Sequence, residues 1–440
     1  MSNNVMNVTT KTAWVINQYA STPATGIGGR HYYLARELVK QGYRVYLIAS
    51  SANHLLHHKP EINQPYKVEQ VDGVDFVWVK MPQYSDAHSK RRALSWFLFA
   101  WRLQGLVGFL TKPDVILYSS PSPIAFLGAE WLANKFKARL VFEVRDIWPL
   151  TLTEIGGYSA KHPFIKIMQW IEDRAYRRAD AVISNLKHAV EHMVSRGMSR
   201  EKFSWIPNGF SLDEVNQNVP LSDSVYQQLP QDKFVVGYTG TLGVANALDT
   251  FILAAEKLRE HTDIVFVLVG GGKEKTSLQA MVSSKRLHNV IFIEPIPKVK
   301  IQAMLSNFDA CYIGLTKDPL FKFGVSPNKL FDYLYSGKPV IYSIESGEYR
   351  PVADANAGIQ ISSENPDELA EAVLTLYHMP AEKRTLLGAN GHKAATAQYE
   401  YCQLAQQLAK VMFFSEIAMN NDRNYNSNNR KPWFKNEKTL

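Results

Sequence analysis

Short apolar runs rich in Val, Ile and Phe alternate with stretches of helical periodicity along nearly the whole chain. That alternation predicts parallel sheets covered by helices. In the first half AWVINQY predicts a strand, a glycine-containing loop follows, and RHYYLARELVKQG predicts a helix whose Leu34, Ala35 and Leu38 share one face. Gly42 suits the position just past that helix, and YRVYLIAS predicts the next strand, which completes a βαβ unit. VDFVWV, DVILYSS, ARLVFEV and DAVIS predict further strands, with a long helix around Ile165 to Arg178 before the last.

The pattern then pauses and restarts. IPNGFSLDEV, punctuated by Pro207 and Gly209, reads as a connector, and KFVVGYTGTLG begins the same strand-and-glycine-turn logic again. Leu248, Phe251, Ile252, Ala255 and Leu258 recur at helical spacing between Ala247 and Glu260, and DIVFVLVGGG, NVIFIEP, DACYIGL and KPVIYSI predict the central strands of a second sheet. The expected fold class is α/β, with two facing Rossmann-like domains over 1–205 and 206–395 and a cleft between them. A C-terminal helix over 396–418 is expected to pack back on the first domain, and the Asn-rich residues 419–440 read as a disordered tail. Open sheets of this kind bind ligands at the carboxyl ends of their strands, which places the site in the cleft.

A length of 440 residues agrees with two cores rather than one. With 46% hydrophobic and 20% charged residues, neither a disordered nor a membrane-embedded chain is indicated. The first residues, MSNNVMNVTTKTAWVINQ, lack a charged start followed by an apolar run, so no secretory signal and a cytoplasmic location are expected. Cys311 and Cys402 cannot build a disulfide framework, and no metal-ligand spacing occurs. A net charge of +8 admits nucleic acid, an anionic membrane surface or phosphorylated substrates as partners. No zinc-finger spacing, RNP-like aromatic run or compact basic helix is present, so nucleic acid is set aside.

Two glycine-bearing motifs carry candidate chemistry. In TGIGGRHYYLAREL, residues 25–38, glycines between strand and helix let the backbone turn tightly, and the free N–H groups of the first helical turn attract an anion. Gly28 and Gly29 are therefore candidate ligand contacts, although a purely structural βα turn accounts for the same residues. In GVSPNKLFDYLYSGKPVI, residues 324–341, Ser326 is expected to cap a helix, Pro327 to take its first position, and Asn328 and Lys329 to complete the first turn. Such a helix end presents N–H donors and one ammonium, which suits a diphosphate. Asp332 falls on the face defined by Asn328 and Lys329 and can accept both hydroxyls of a ribose. A surface helix with an i,i+3 ion pair between Lys329 and Asp332 is the alternative.

The segment HSKRRALSWFLFAWRLQGLVGFLTK, residues 88–112, is apolar or aromatic on nearly every side, with Arg91 and Arg92 near its start and Arg102 and Gln104 inside. It is too short and too charged for a span. It reads either as an interfacial helix whose aromatics enter lipid while its cations meet anionic headgroups, or as a buried helix of the first domain.

SPNKLFDYLYSGKPVI, together with GIGGRHYYLARELVKQGY, RDIWP, IPNG and GYTGTLG in the same order, resembles the retaining glycosyltransferases of the GT-B fold, GT4 type, and within them bacterial enzymes of O-antigen and capsule assembly such as N-acetylfucosamine transferases. The resemblance runs from about Trp14 to Phe414. It implies that the second domain holds a nucleotide-sugar donor through Gly240, Thr241, Gly271, Gly324, Val325, Ser326, Asn328, Lys329 and Asp332. Relatives often carry two glutamates eight positions apart; the second position is Asp332 here and the first is Gly324, which has no side chain. They also place an Arg and a Lys after the first strand of that domain, where this chain has Thr241 and Asn246, so diphosphate charge falls to Lys329 and Lys322. LVGGGKE and EPIPK resemble the parts that close over the base. A histidine common in relatives is replaced by Arg145 and Asp146 of EVRDIWP. These two are candidate catalytic residues, binding phosphate and handling the acceptor hydroxyl, or else a pair that shapes a loop.

The resemblance therefore implies metal-independent transfer, with retention and without a cofactor, of a sugar from a nucleotide diphosphate to a lipid-diphosphate-linked saccharide at the inner face of the bacterial inner membrane. UDP is the expected carrier and an N-acetylated deoxysugar the next inference. A nucleotide-sugar epimerase on the same fold and a non-catalytic scaffold that binds sugar nucleotides are the rival readings.

Overall fold

The computed structural model describes residues 10–26, 28–83, 90–217 and 219–414. The expected tail over 419–440 and the first residues of the 88–112 segment lie outside them. Among the described residues of the first domain, eight strands form one sheet: β1 (Thr12–Ile16), β2 (Arg44–Ser50), β3 (Tyr66–Val71), β4 (Val74–Val79), β5 (Val115–Ser119), β6 (Arg139–Val144), β7 (Ala181–Ser184) and β8 (Phe203–Trp205). Their order is β3-β4-β2-β1-β5-β6-β7-β8, and all neighbours are parallel except the β3–β4 hairpin. The second domain has β9 (Phe234–Thr239), β10 (Ile264–Val269), β11 (Val290–Ile293), β12 (Ala310–Gly314), β13 (Val340–Ser343) and β14 (Gly358–Ile361) in the all-parallel order β11-β10-β9-β12-β13-β14.

The central strands are buried on both faces, which is why they are continuous apolar runs: every residue of FVVGYT and IVFVLV is buried. β3, β8 and β14 have no such run. All three lie at sheet edges with half-exposed residues, so the hydrophobic pattern does not announce them. In each sheet the order of strand addition reverses beside the first strand, β1 next to β5 and β9 next to β12. These switch points open a crevice at the carboxyl ends.

The chain crosses between domains twice, side by side. The outgoing Phe210 donates its N–H to Tyr399 O at 3.0 Å, and the returning Tyr401 donates to Phe210 O at 3.0 Å. The approach requires glycine at 209, because a Cβ there would stand 2.0 Å from Tyr399 O. The Ala381–Gln398 helix belongs to the second domain, and the Tyr401–Phe413 helix then buries Leu404, Ala405, Leu408 and Met412 against Leu34, Leu38 and Val15 of the first. The cleft is further held by Tyr33, whose hydroxyl donates to Glu214 at 3.1 Å, and by Arg36 and Lys40, which both reach Asp213.

The Lys90–Arg102 helix divides its aromatics between two environments. Trp96 and Phe99 are buried in the first-domain core, Trp96 edge-on to Trp148. Leu94, Phe97 and Trp101, spaced along the opposite face, are exposed, Leu94 and Trp101 by 68% and 66%. The helix is thus neither wholly interfacial nor wholly buried. Among the described residues no helix is long and apolar enough to cross a membrane.

Candidate active site

A cavity of about 640 Å³ lies between the domains, against the loops that leave β1 and β9. Gly29 and Tyr33 line it from the first domain; Gly240, Thr241, Asn246, Asn328, Lys329 and Asp332 line it from the second. The Asn328–Tyr335 helix is aimed by Tyr333, whose hydroxyl accepts from Thr239 N at 2.7 Å and donates to Thr239 O at 3.1 Å. Buried Leu330, Phe331 and Leu334 seat its other face in the core. The amino end of the helix is thereby fixed beside the end of β9.

Lys329 Nζ donates to Tyr238 Oη and Asn246 Oδ1, both at 2.7 Å, and lies 4.3 Å from the centre of the Tyr238 ring. Gly240, beside it at the end of β9, has a φ of 137°, which favours glycine. Among the described residues no carboxylate pairs with it. Burial therefore pushes its ammonium down to about 7. A cation so placed gains from an anion that enters the cavity. Asp332 is buried and pairs with Lys298 of the loop after β11, so the i,i+3 pair between Lys329 and Asp332 does not form. Lys298, inside the EPIPK segment, is the partner that sequence reasoning did not single out.

One expectation of local structure is corrected, and other candidate residues stand away from the larger cavity. Ser326 does not cap the helix: Pro327 is the N-cap residue, in extended conformation, and the Ser326 hydroxyl instead accepts from Asn208 N at 2.9 Å. The backbone of the inter-domain crossover has taken the oxygen that the helix would have used. Lys322 lies over the Phe323 ring at 5.2 Å and lines neither cavity. Gly271 does not line the site either; its carbonyl accepts from Leu242 N at 2.8 Å and supports the turn after β9. Gly28 packs beside Pro23 and Tyr32, behind Gly29.

A second, smaller cavity of about 300 Å³ is lined by Arg145, Asp146, Asn185 and Asn208 on one side and by Gly324, Val325 and Ser326 on the other. Gly324 has a φ of 95°, and a Cβ there would lie 3.1 Å from the backbone N of Lys187 in the first domain. A glutamate at this position would be strained and crowded. Arg145 and Asp146 do not come into ion-pair contact. The Arg145 N–H donates to Ser120 Oγ at 3.0 Å. Crowding by protein raises the Asp146 carboxyl, and the nearby Arg145 charge opposes that rise.

Comparison with known proteins places this geometry. Residues 25–209 match the glycosyl transferase 4-like domain, and residues 223–394 match the glycosyl transferases group 1; together these take in most of the chain. The chain belongs to the GT4-type glycosyltransferases. It is 22% identical over 334 residues to WcaI of Escherichia coli (strain K12), described as a colanic acid biosynthesis glycosyl transferase, covering 74% of this chain and 81% of that one. Sucrose-phosphate synthase from Thermosynechococcus elongatus shares its fold with a TM-score of 0.68 at 16% identity, covering 95% of this chain and all of that one. HepE of Anabaena, solved in complex with UDP, superposes with a TM-score of 0.63 at 16% identity, covering 91% and 98% of the two chains. The neighbours share the GT-B fold: two parallel-sheet α/β domains that face each other across a cleft.

Behind the transferase's glycine loop lies a buried charge cluster that motif reading passed over. Glu143, at the end of β6, accepts from Arg30 Nε at 2.8 Å and shares a 2.6 Å hydrogen bond with His31 Nε2. Burial alone would raise the Glu143 carboxyl, but Arg30 and His31 overcome it and hold the group well below the usual carboxylate range. The remaining Arg30 nitrogens donate to the carbonyls of Ile206, at 2.8 Å, and Pro207. One guanidinium thus ties the first turn of the Arg30–Lys40 helix to the crossover. The signal was available in the sequence as two charged residues at the buried ends of a strand and a helix, but nothing local pairs them.

Proposed function

We propose that this glycosyltransferase moves a sugar from a nucleotide diphosphate, UDP foremost and an N-acetylated deoxysugar next, to a lipid-diphosphate-linked saccharide in bacterial surface polysaccharide assembly. The observation that carries the reading is Lys329, an ammonium without a counter-ion among the described residues, at the amino end of a helix and in one cavity with Asp332. The α- and β-phosphate oxygens of a departing diphosphate need charge and N–H donors that are already oriented, and a helix end with a lysine supplies both. Asp332 is placed to accept ribose hydroxyls once Lys298 yields. Arg145 and Asp146 line the neighbouring cavity, where a sugar attached to that diphosphate would stand, and Asp146 is suited to orient an acceptor hydroxyl. The UDP bound to HepE and the polysaccharide roles given for WcaI and for TuaH of Bacillus subtilis (strain 168) support the choice of substrates. Retention and metal independence belong to the same proposal.

Incubation with a panel of nucleotide sugars, with and without a lipid-linked acceptor, tests it. Transfer that requires acceptor is the expected result. Release of an isomerised nucleotide sugar without acceptor would instead support an epimerase, and binding without turnover a scaffold.

A lipid acceptor places the enzyme at a membrane surface, on the cytoplasmic face. Leu94, Phe97 and Trp101 on the Lys90–Arg102 helix are exposed, as are Trp131 on the Phe126–Phe136 helix beside it and Trp170 on the Pro163–Arg178 helix that packs in turn on that one. Exposed aromatic and aliphatic side chains of this kind favour lipid. Changing Leu94, Phe97 and Trp101 together to Ser is expected to lower binding to phosphatidylglycerol vesicles at least tenfold in a sedimentation assay with the fold intact. Unchanged binding would reject the surface. Trp96 is left out because it is core.

A further inference from the structure

The smaller cavity contains polar atoms that the fold leaves without partners. Among the described residues Asn185 Oδ1, Asn208 Oδ1 and Arg145 Nε are buried and make no hydrogen bond, and all three residues line this one cavity. Buried polar groups nearly always find partners, so two orphan acceptors and one orphan donor around a single space mark what a ligand must supply. Asn185 and Asn208 are only 7% and 5% exposed. Neither is a loose surface amide.

The orientation of Asn208 is fixed. Its Nδ2 donates to Ser326 O at 2.7 Å and its backbone N–H to Ser326 Oγ at 2.9 Å, so Oδ1 is the end left over. Asn185 follows directly on β7, and its carbonyl accepts from Trp205 Nε1 at 3.2 Å. The Asn208 amide is therefore held through its nitrogen, and Asn185 is anchored through its backbone, in neither case by the orphan oxygen. The other wall is mostly apolar, with Leu315, Leu320, Phe321 and Val325, and carries the Asp318 carboxylate, which accepts from Leu320 N at 2.8 Å, and Ser326. A pyranose matches this division: its edges carry hydroxyl or amide N–H donors, while its ring faces present C–H groups to apolar side chains. The position matches as well, because Gly324–Pro327 of this cavity run directly into Asn328 and Lys329 of the larger one.

We infer that Asn185 and Asn208 are specificity-determining residues that read two hydrogen-bond donors on the transferred pyranose, with Arg145 donating to an oxygen of the same unit. This rests on the nucleotide-sugar reading above. A donor sugar with its hydroxyl epimerised or removed at a position read by Asn185 leaves a buried oxygen unpaired, and a pocket of that kind discriminates strongly.

The test is titration calorimetry of UDP, UDP-glucose, UDP-galactose and UDP-N-acetylglucosamine against wild type and Asn185→Leu, which is close in shape but has no acceptor. Wild-type affinities for the three sugars are expected to differ by tenfold or more between best and worst. In Asn185→Leu that spread shrinks to about threefold, while UDP affinity stays within twofold of wild type, since UDP alone does not enter the smaller cavity. If the Asn185→Leu chain loses UDP binding, the smaller Asn185→Ala carries the same comparison. A spread that survives the substitution, or a wild type that shows none, overturns the assignment while UDP binding leaves the donor site standing. A wild type that binds neither UDP nor any of the sugars overturns the nucleotide-sugar reading and this assignment with it.

Discussion

A Lys329→Met chain is expected to bind UDP roughly 50-fold more weakly than wild type, with turnover falling at least as far, because it loses a charge-assisted contact to diphosphate in a protected site. Binding should also lose the fall in affinity above pH 7 that Lys329 causes. In the free protein burial holds the Lys329 ammonium at about 7, below its ordinary value of 10.5. The free site is therefore largely neutral at pH 8 and above, whereas a bound diphosphate favours the charged form and draws in a proton. Above pH 7 wild-type affinity should fall by up to tenfold per pH unit, a slope that Lys329→Met lacks. Calorimetry in two buffers of different ionisation enthalpy at pH 8.5 should register proton uptake in wild type and none from this group in Lys329→Met. The same depression has a sign for folding. The unfolded chain holds this proton up to about pH 10.5 and the folded chain only up to about 7, so the group costs stability increasingly as pH falls from 10.5 towards 7 and fully below it. Wild-type UDP affinity in the variant, with proton uptake preserved, would remove Lys329 from the diphosphate site.

The largest effect on stability is expected at Glu143. Its side chain is almost wholly buried, as is that of Arg30, and removing one member of a buried ion pair leaves the other charge uncompensated at a cost of about 3–5 kcal/mol. For a domain of this size Glu143→Ala should lower the melting temperature by about 10 °C. Arg30→Lys is no remedy, since an ammonium cannot reach Glu143 and the carbonyls of Ile206 and Pro207 in the planar fork that Arg30 uses. The double variant Arg30→Met, Glu143→Leu should be less damaged than either charge left alone, because no unpaired charge remains buried. Scanning calorimetry on the four chains separates these outcomes. A Glu143→Ala chain that melts within about 2 °C of wild type would mean that water or a rearranged Arg30 already meets the charge.

Much of the architecture was readable residue by residue. The central strands announce themselves because a strand buried on both faces must be apolar throughout, as in IVFVLV. The Asn328–Tyr335 helix was legible from the spacing of Leu330 and Leu334. Edge strands β3, β8 and β14 were not, since a half-exposed strand need not carry an apolar run. The Lys90–Arg102 helix shows the same limit from the other side. Trp96 and Trp101 are the same residue type in the same helix, and only packing against Trp148 and Phe164 decides that one is core and the other surface.

By itself the sequence determined two α/β domains, the crossover at IPNG, and a helix that offers Lys329 and Asp332 to the cleft, because apolar periodicity and turn chemistry act over a few neighbouring residues. Tertiary structure alone decided who pairs with whom. Lys298 meets Asp332, Asn208 takes the hydroxyl of Ser326, and Glu143 finds Arg30 more than a hundred residues away. Long-range polar partners are chosen by burial, which punishes every unpaired group in one shared interior, and no local pattern records which partner will be there.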